Sequence, residues 1–176
     1  MGQDPNPRVL IQTELGNILL ELYIYQAPLT VRNFLRYIEE DRFAEATFHR
    51  VARMDNQPNN EFKIQVLQGG LKLDDHPLNL PPILHETTRQ TGILHTNGII
   101  SMARDEPGTA TSDFFICIGD QPELDFGGRR NPDGEGFAAF GKVIEGMDVV
   151  HKIYNSPARG QNLEPNIPIT MVKIVE

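Results

Sequence analysis

The sequence predicts a mainly β protein: a closed antiparallel barrel of about eight strands, with two α-helices covering its ends. Three observations lead there. Short runs rich in Val, Ile, Leu and Phe recur along the chain, several with one apolar face. Only two stretches carry a helical period, and no internal repeat is present. The length, 176 residues, suits one compact domain with a single core. Residues 1–7 read as an N-terminal extension and residues 8–176 as that single domain.

Arg8 to Thr13 and Asn17 to Tyr25, joined by Glu14-Leu15-Gly16, read as a β-hairpin. Pro28 opens a helical pattern in which Val31, Phe34, Leu35 and Ile38 share one face, with Thr30 able to cap the first turn. Its charged residues Arg32, Arg36, Glu39 and Glu40 form the ordinary solvated side. Thr47 to Arg53 is a strand, followed by a loop from Met54 to Asn60. Phe62 to Gln68 alternates and ends at the bend Gly69-Gly70. Leu71 to Thr91 is a long irregular loop, because Pro77, Pro81 and Pro82 forbid a regular ladder. Gly98 to Arg104 and Ser112 to Ile118 are strands joined by a turn-rich link. Gly127 to Gly136 is a connecting loop before the strand Phe137 to Val143. Met147, Val150, Ile153 and Tyr154 mark the second helix, and Ile169 to Val175 closes the chain as a strand.

Composition excludes several functions. A net charge of -8 argues against binding a phosphate backbone, so nucleic acid is not an expected partner. No run approaches the roughly 18 to 20 apolar residues of a membrane helix, and the first residues carry no apolar segment resembling a signal peptide. A soluble protein without membrane contact is expected. The single cysteine, Cys117, sits in an apolar strand and reads as a structural thiol; either cytoplasm or periplasm is compatible with it.

Metal and cofactor signatures are weak. His76 near Asp74 and Asp75, and His85 beside Glu86, have no second cluster to complete a site. Asn131, Asp133, Glu135 and Gly136 fall at early calcium-loop offsets, but Lys142 stands where a bidentate glutamate is needed. The same loop lacks the Gly-Lys-Ser/Thr ending and following helix of a phosphate cradle. No metal and no cofactor is expected.

Chemistry concentrates at Thr47-Phe48-His49-Arg50-Val51, where one permanently charged guanidinium stands among hydrophobic neighbours. Such a group orients and polarises; it does not shuttle protons. His49 would point to the opposite face of an alternating strand, so a structural hydrogen bond suits it better than a general-base role. Nucleophile elbows, His-Glu-x-x-His and Cys-x-x-Cys are absent from the sequence. An arginine, an amide side chain and an apolar wall suit a reaction without proton or group transfer.

Phe48-His49-Arg50-Val51, Gln68-Gly69-Gly70, Gly98-Ile99-Ile100-Ser101-Met102-Ala103-Arg104, Ser112-x-Phe114-Phe115-Ile116 and Phe140-Gly141-Lys142-Val143-Ile144-Glu145-Gly146-Met147 resemble the signature segments of the cyclophilin peptidyl-prolyl isomerases, bacterial members in particular. The match runs in order from about Arg8 to Glu176. The resemblance implies an eight-stranded barrel with two capping helices and catalysis of cis/trans isomerisation at X-Pro bonds. It also implies a catalytic Arg50 and a proline pocket floored by Phe115 and Leu124. Gln68 should hold the substrate or Arg50, and the backbone of Ala103 or Arg104 should fix the residue before proline.

Departures from the pattern bear on the same site. Gln65 stands where the family commonly has a pocket phenylalanine, and Val66 replaces the usual methionine. Asp113 replaces a glutamine and, if ionised, could pair with Arg50 and compete with substrate. Glu123 stands where cyclosporin-sensitive members carry tryptophan, and Phe137 where many have histidine. The expected partners are proline-containing peptides and unfolded proteins, with weak cyclosporin binding and a monomeric state. The leading function is a prolyl isomerase that assists folding; the alternative is a proline-peptide binding module of the same fold with little turnover. A proline-directed hydrolase lacks a nucleophile or metal.

Overall fold

The computed structural model describes residues 2–176. Its strands are β1 (Arg8–Thr13), β2 (Gly16–Leu22), β3 (Thr47–Ala52), β4 (Val66–Gly70), β5 (Ile99–Met102), β6 (Phe114–Cys117), β7 (Ala138–Glu145), β8 (Ala158–Arg159) and β9 (Asn162–Val175). Its helices are α1 (Pro28–Glu39), α2 (Thr88–Thr91) and α3 (Met147–Tyr154), with one 3-10 turn at Pro122–Leu124.

The ring runs β1-β2-β7-β5-β6-β4-β3-β9, and β9 returns to pair with β1, closing a barrel of eight antiparallel strands. Closure removes the free edges an open sheet would expose. The two-residue β8 only pairs, antiparallel, with the first residues of β9. Residues 162–168, polar and carrying Pro165 and Pro168, hide the first half of β9 from a pattern search, so the expected strand at Ile169 to Val175 is half its real length. That half pairs with β3, whereas the second half pairs with β1.

The first hairpin forms as expected. Thr13 Oγ1 accepts from Leu15 N and donates to the Gly16 carbonyl, closing the turn. Gly16 holds φ +133°, and a Cβ there would stand 2.6 Å from Val149 of α3. Only glycine admits both the conformation and the contact.

In α1, Val31, Phe34 and Tyr37 are buried while the charged face stays out. The expected cap is corrected. Thr30 lies inside the helix, and Glu86 of the long loop takes the capping role: its carboxylate accepts from Leu29 N (3.3 Å), Thr30 N (2.7 Å) and Thr30 Oγ1 (2.6 Å). A carboxylate at this end satisfies orphan donors and meets the positive end of the helix dipole.

Phe34 joins the helix to the barrel interior, meeting Phe114 edge-on at 5.6 Å and Phe140 at 5.3 Å between centroids. Phe48 meets Phe114 at 5.9 Å, so one aromatic cluster ties α1, β3, β6 and β7. The other long helix, α3, packs Val150 and Ile153 fully inside.

The strand expected from Phe62 begins only at Val66. The buried amide of Gln57 is the reason: it accepts from Ile64 N and donates to the carbonyls of Ile64 and Arg53, holding residue 64 as a loop without a neighbouring strand. The proline-rich loop is irregular except for α2, whose ends carry a Thr87–Gln90 capping box and Gly92 in the left-handed conformation.

Candidate active site

Arg50 stands on β3 one residue after an irregularity. Phe48 pairs with Gly69 and Arg50 with Gln68, so two steps on β3 answer one step on β4 and His49 is the extra residue of a β-bulge. Strict alternation therefore fails here. The expectation that His49 turns away from Arg50 is corrected: both side chains end on one hydrogen-bonded row. Its hydrogen-bonding role is as expected.

The row is continuous. Arg50 Nη1 donates to Gln68 Oε1 at 2.8 Å, Gln68 Nε2 donates to Asp113 Oδ2 at 2.9 Å, and His49 Nε2 donates to the same oxygen at 3.0 Å. Lys72 N donates to Asp113 Oδ1 at 2.9 Å. From the other side, Arg50 Nε donates to Gln161 Oε1 at 2.9 Å. The fear that Asp113 competes for Arg50 is therefore not realised in the hydrogen bonding: its partners are His49, Gln68 and Lys72. Two of the five guanidinium N–H groups are engaged this way, and three remain.

Burial lowers the Arg50 pKa and the nearby Asp113 charge opposes the shift, so the cation persists. Burial works against ionised Asp113, but hydrogen bonds and charge from His49, with those from Lys72 N and Gln68, outweigh it and hold the carboxyl below its ordinary value. Gly70, at φ +134°, leaves room for this carboxylate; a Cβ there would overlap Asp113 Oδ1.

Beside Arg50 opens a recess of about 340 Å³, lined by Val66, Gln68, Ala103, Arg104, Asp113, Phe115, Leu124 and Phe137 among others. Phe115 and Leu124 are buried, and Phe137 meets Phe115 edge-on at 5.4 Å. An apolar floor beside a fixed cation is the combination a ring-bearing amide requires.

The other expected residues are placed as follows. Ala103 N donates to the carbonyl of Asp113, which locks this wall to β6. Arg104 lies 4.9 Å above the Phe137 ring, donates to the Asp133 carboxylate through Nη1 (3.0 Å) and Nη2 (3.1 Å), and holds the Gly136 carbonyl. Its charge is thus spent on fastening the glycine-rich loop. Gln65 is a correction: it lies outside the recess, and Ile64 lines the wall instead. The irregular backbone before β4 shifts the phase by one residue.

Three contributors escaped the sequence reading. Gln161, in the β8–β9 turn, reaches Arg50 only because the chain folds back across more than a hundred residues. Arg130, from the loop read as a mere connection, lines the recess and donates through Nη1 to Gln57 Oε1 and the Phe62 carbonyl. Burial, then the Arg50 charge, lowers its pKa. Behind Phe115, His95 lies between Asp125 and Ser101, with Nδ1 2.8 Å from Asp125 Oδ1 and Nε2 2.8 Å from Ser101 Oγ. This has the shape of a hydrolytic triad, but Ser101 and His95 are buried.

No group of three or more metal-ligating side chains occurs among the described residues. His85 instead bonds the Glu135 carbonyl, and Glu86 caps α1. No helix among them is long and apolar enough to cross a membrane.

The fold and site together define the class: a closed antiparallel β-barrel with the doubly anchored guanidinium of Arg50 beside an apolar recess. Residues 8–175 match the model of the cyclophilin type peptidyl-prolyl cis-trans isomerase family. A peptidyl-prolyl cis-trans isomerase of Acinetobacter baylyi is 38% identical over 172 residues, covering 97% of this chain and 84% of its own. Peptidyl-prolyl cis-trans isomerase B of Escherichia coli is 33% identical, over 91% of this chain and 92% of that one. A cyclophilin type isomerase of Cryptosporidium parvum, solved in the presence of the dipeptide Ala-Pro, superposes with a TM-score of 0.74 at 24% identity, covering 96% of this chain and 99% of that one. The chain belongs to the cyclophilin type peptidyl-prolyl cis-trans isomerase family, and its reaction is isomerisation of X-Pro peptide bonds.

Proposed function

We propose that Arg50 is the catalytic residue of this isomerisation and that Phe115, Leu124, Val66 and Phe137 shelter the proline ring. The amide resists rotation because nitrogen donates its lone pair into the carbonyl, a barrier of roughly 18 to 20 kcal/mol. Rotation returns that pair to the proline nitrogen. A guanidinium hydrogen-bonded there binds the twisted state better than either planar isomer, which is the differential binding that accelerates a step. One preorganised interaction of about 2.7 to 4 kcal/mol gives a hundred- to thousandfold in rate.

The observation carrying this reading is the double anchoring of Arg50 by Gln161 and Gln68, which leaves three N–H groups for a substrate beside Phe115. Fixed before substrate arrives, the cation needs little reorganisation during the reaction. Ala103 and Arg104 supply backbone for the residue preceding proline, and Gln68 acts on Arg50 rather than on the substrate. The non-catalytic binding-module reading has little left in its favour, since Asp113 hydrogen-bonds away from Arg50 and Gln65 lies outside the recess.

The physiological substrates of this reading are proline-containing segments of unfolded proteins, handled by a monomer. Cyclosporin binds weakly, because Glu123, paired with Arg129 at 2.7 Å, offers a carboxylate where an aromatic would stack. The test is NMR exchange on an X-Pro tetrapeptide. The protein should accelerate exchange and Arg50→Ala should lose about a hundredfold of that acceleration; an Arg50→Ala variant as active as the parent would overturn the assignment.

A further inference from the structure

We propose that Asp113 is a positioning residue for the isomerase: it sets which end of the Gln68 amide faces Arg50. The inference rests on the reading of Arg50 as the catalytic group. Arg50 can only donate hydrogen bonds, and an ionised carboxylate can only accept them. Gln68 stands between the two with one acceptor and one donor end, so a single orientation satisfies both neighbours: Oε1 to Arg50 and Nε2 to Asp113. An uncharged amide at position 113 could present either end, and Gln68 could then turn its NH2 against the guanidinium. The carboxylate removes that choice.

The carboxylate is itself built in. His49, only 4% exposed, donates to the oxygen that Gln68 uses, and Lys72 N donates to the other. Lys72 adopts φ +74°, a left-handed conformation that a side chain disfavours, while aiming that N–H. Gly70 clears the space. Bulge, strained residue and glycine thus converge on one carboxylate beside the recess. Such convergence is expected where the surroundings must over-determine a functional geometry.

The donor–acceptor polarity gives a reciprocal test. Asp113→Asn should lower kcat about fivefold with KM within about twofold, because the lost interaction acts through Arg50 in the twisted state. Gln68→Glu places two acceptors face to face and should lower kcat more than tenfold. Combined, the introduced amide donates to the introduced carboxylate, which still accepts from Arg50, so Asp113→Asn with Gln68→Glu should recover to within about threefold of the parent.

A double variant no better than Gln68→Glu, or Asp113→Asn with unchanged kcat, would overturn the proposal. Should a variant fail to fold, the unsubstituted protein decides: Gln68 side-chain amide protons bonded to a carboxylate resonate downfield and exchange slowly, and exchange as fast as that of a surface glutamine overturns it. Loss of activity in Arg50→Ala alongside a failed recovery would separate this proposal from the one beneath it.

Discussion

His95 lies nearly parallel to Phe115, the rings 6.0 Å apart between centroids and 16° from coplanar. The floor of the recess is therefore backed by an imidazole that Asp125 and Ser101 hold from either side. Asp125 Oδ1 also accepts from His95 N at 2.8 Å, so the ring donates from Nδ1 and receives the Ser101 hydroxyl at Nε2. The geometry could activate a serine, but substrate has no approach to it. Ser101 is 0% exposed. Prolonged incubation of a proline peptide should leave it intact, and a fluorophosphonate should not label the native protein; mass spectrometry reads both.

Acid stability should depend on Asp113. Its carboxyl titrates below the ordinary 3.8 in the folded protein, so the native state binds fewer protons than the unfolded chain as pH falls. The stabilisation is complete above the unfolded value and disappears as pH drops through the folded one. His49 and Arg50 of β3, Tyr37 of α1 and the Lys72 N–H face this group. Denaturant titrations below pH 5 should show a shallower loss in Asp113→Asn than in the parent.

Glu86 should matter for stability and not for turnover. Removing a carboxylate that caps α1 leaves Leu29 N and Thr30 N without their partner. Glu86→Ala should cost about 1 to 2 kcal/mol in chemical denaturation. The rate on an X-Pro peptide should stay within twofold, since the cap touches no residue of the recess.

Cys117 should be inert in the folded chain. Burial first, then the charges of Asp125 and Asp120, push its thiol far up, which keeps the nucleophilic thiolate scarce. It lies on β6 and is 0% exposed. A thiol-reactive dye should label it only after denaturant is added, and labelling at the rate of a free thiol would contradict the buried placement.

Much of the site was legible because it lies within short segments. Arg50, Gln68 and Phe115 sit on three strands whose sequence motifs survive intact, and the recess brings all three together. What strand alternation cannot reveal is a bulge: one extra residue at His49 changes which side chains share a row. Gln65 fails for a different reason: Gln57 holds the backbone before β4 in a loop, out of strand phase. Arg130 gives no local signal, being one polar residue in a polar loop until that loop folds against Gln57 and Phe62.

Sequence alone determined the hairpin, the two amphipathic helices, the succession of about eight strands and the cation beside an apolar wall, since period and residue chemistry act over a few neighbours. Tertiary structure decided how that cation is held. Gln161, Gln68, Asp113 and His49 come from four places in the chain, and a hydrogen bond forms only where folding brings a donor within about 3 Å of an acceptor. Such distances follow from register and closure, which no single segment encodes.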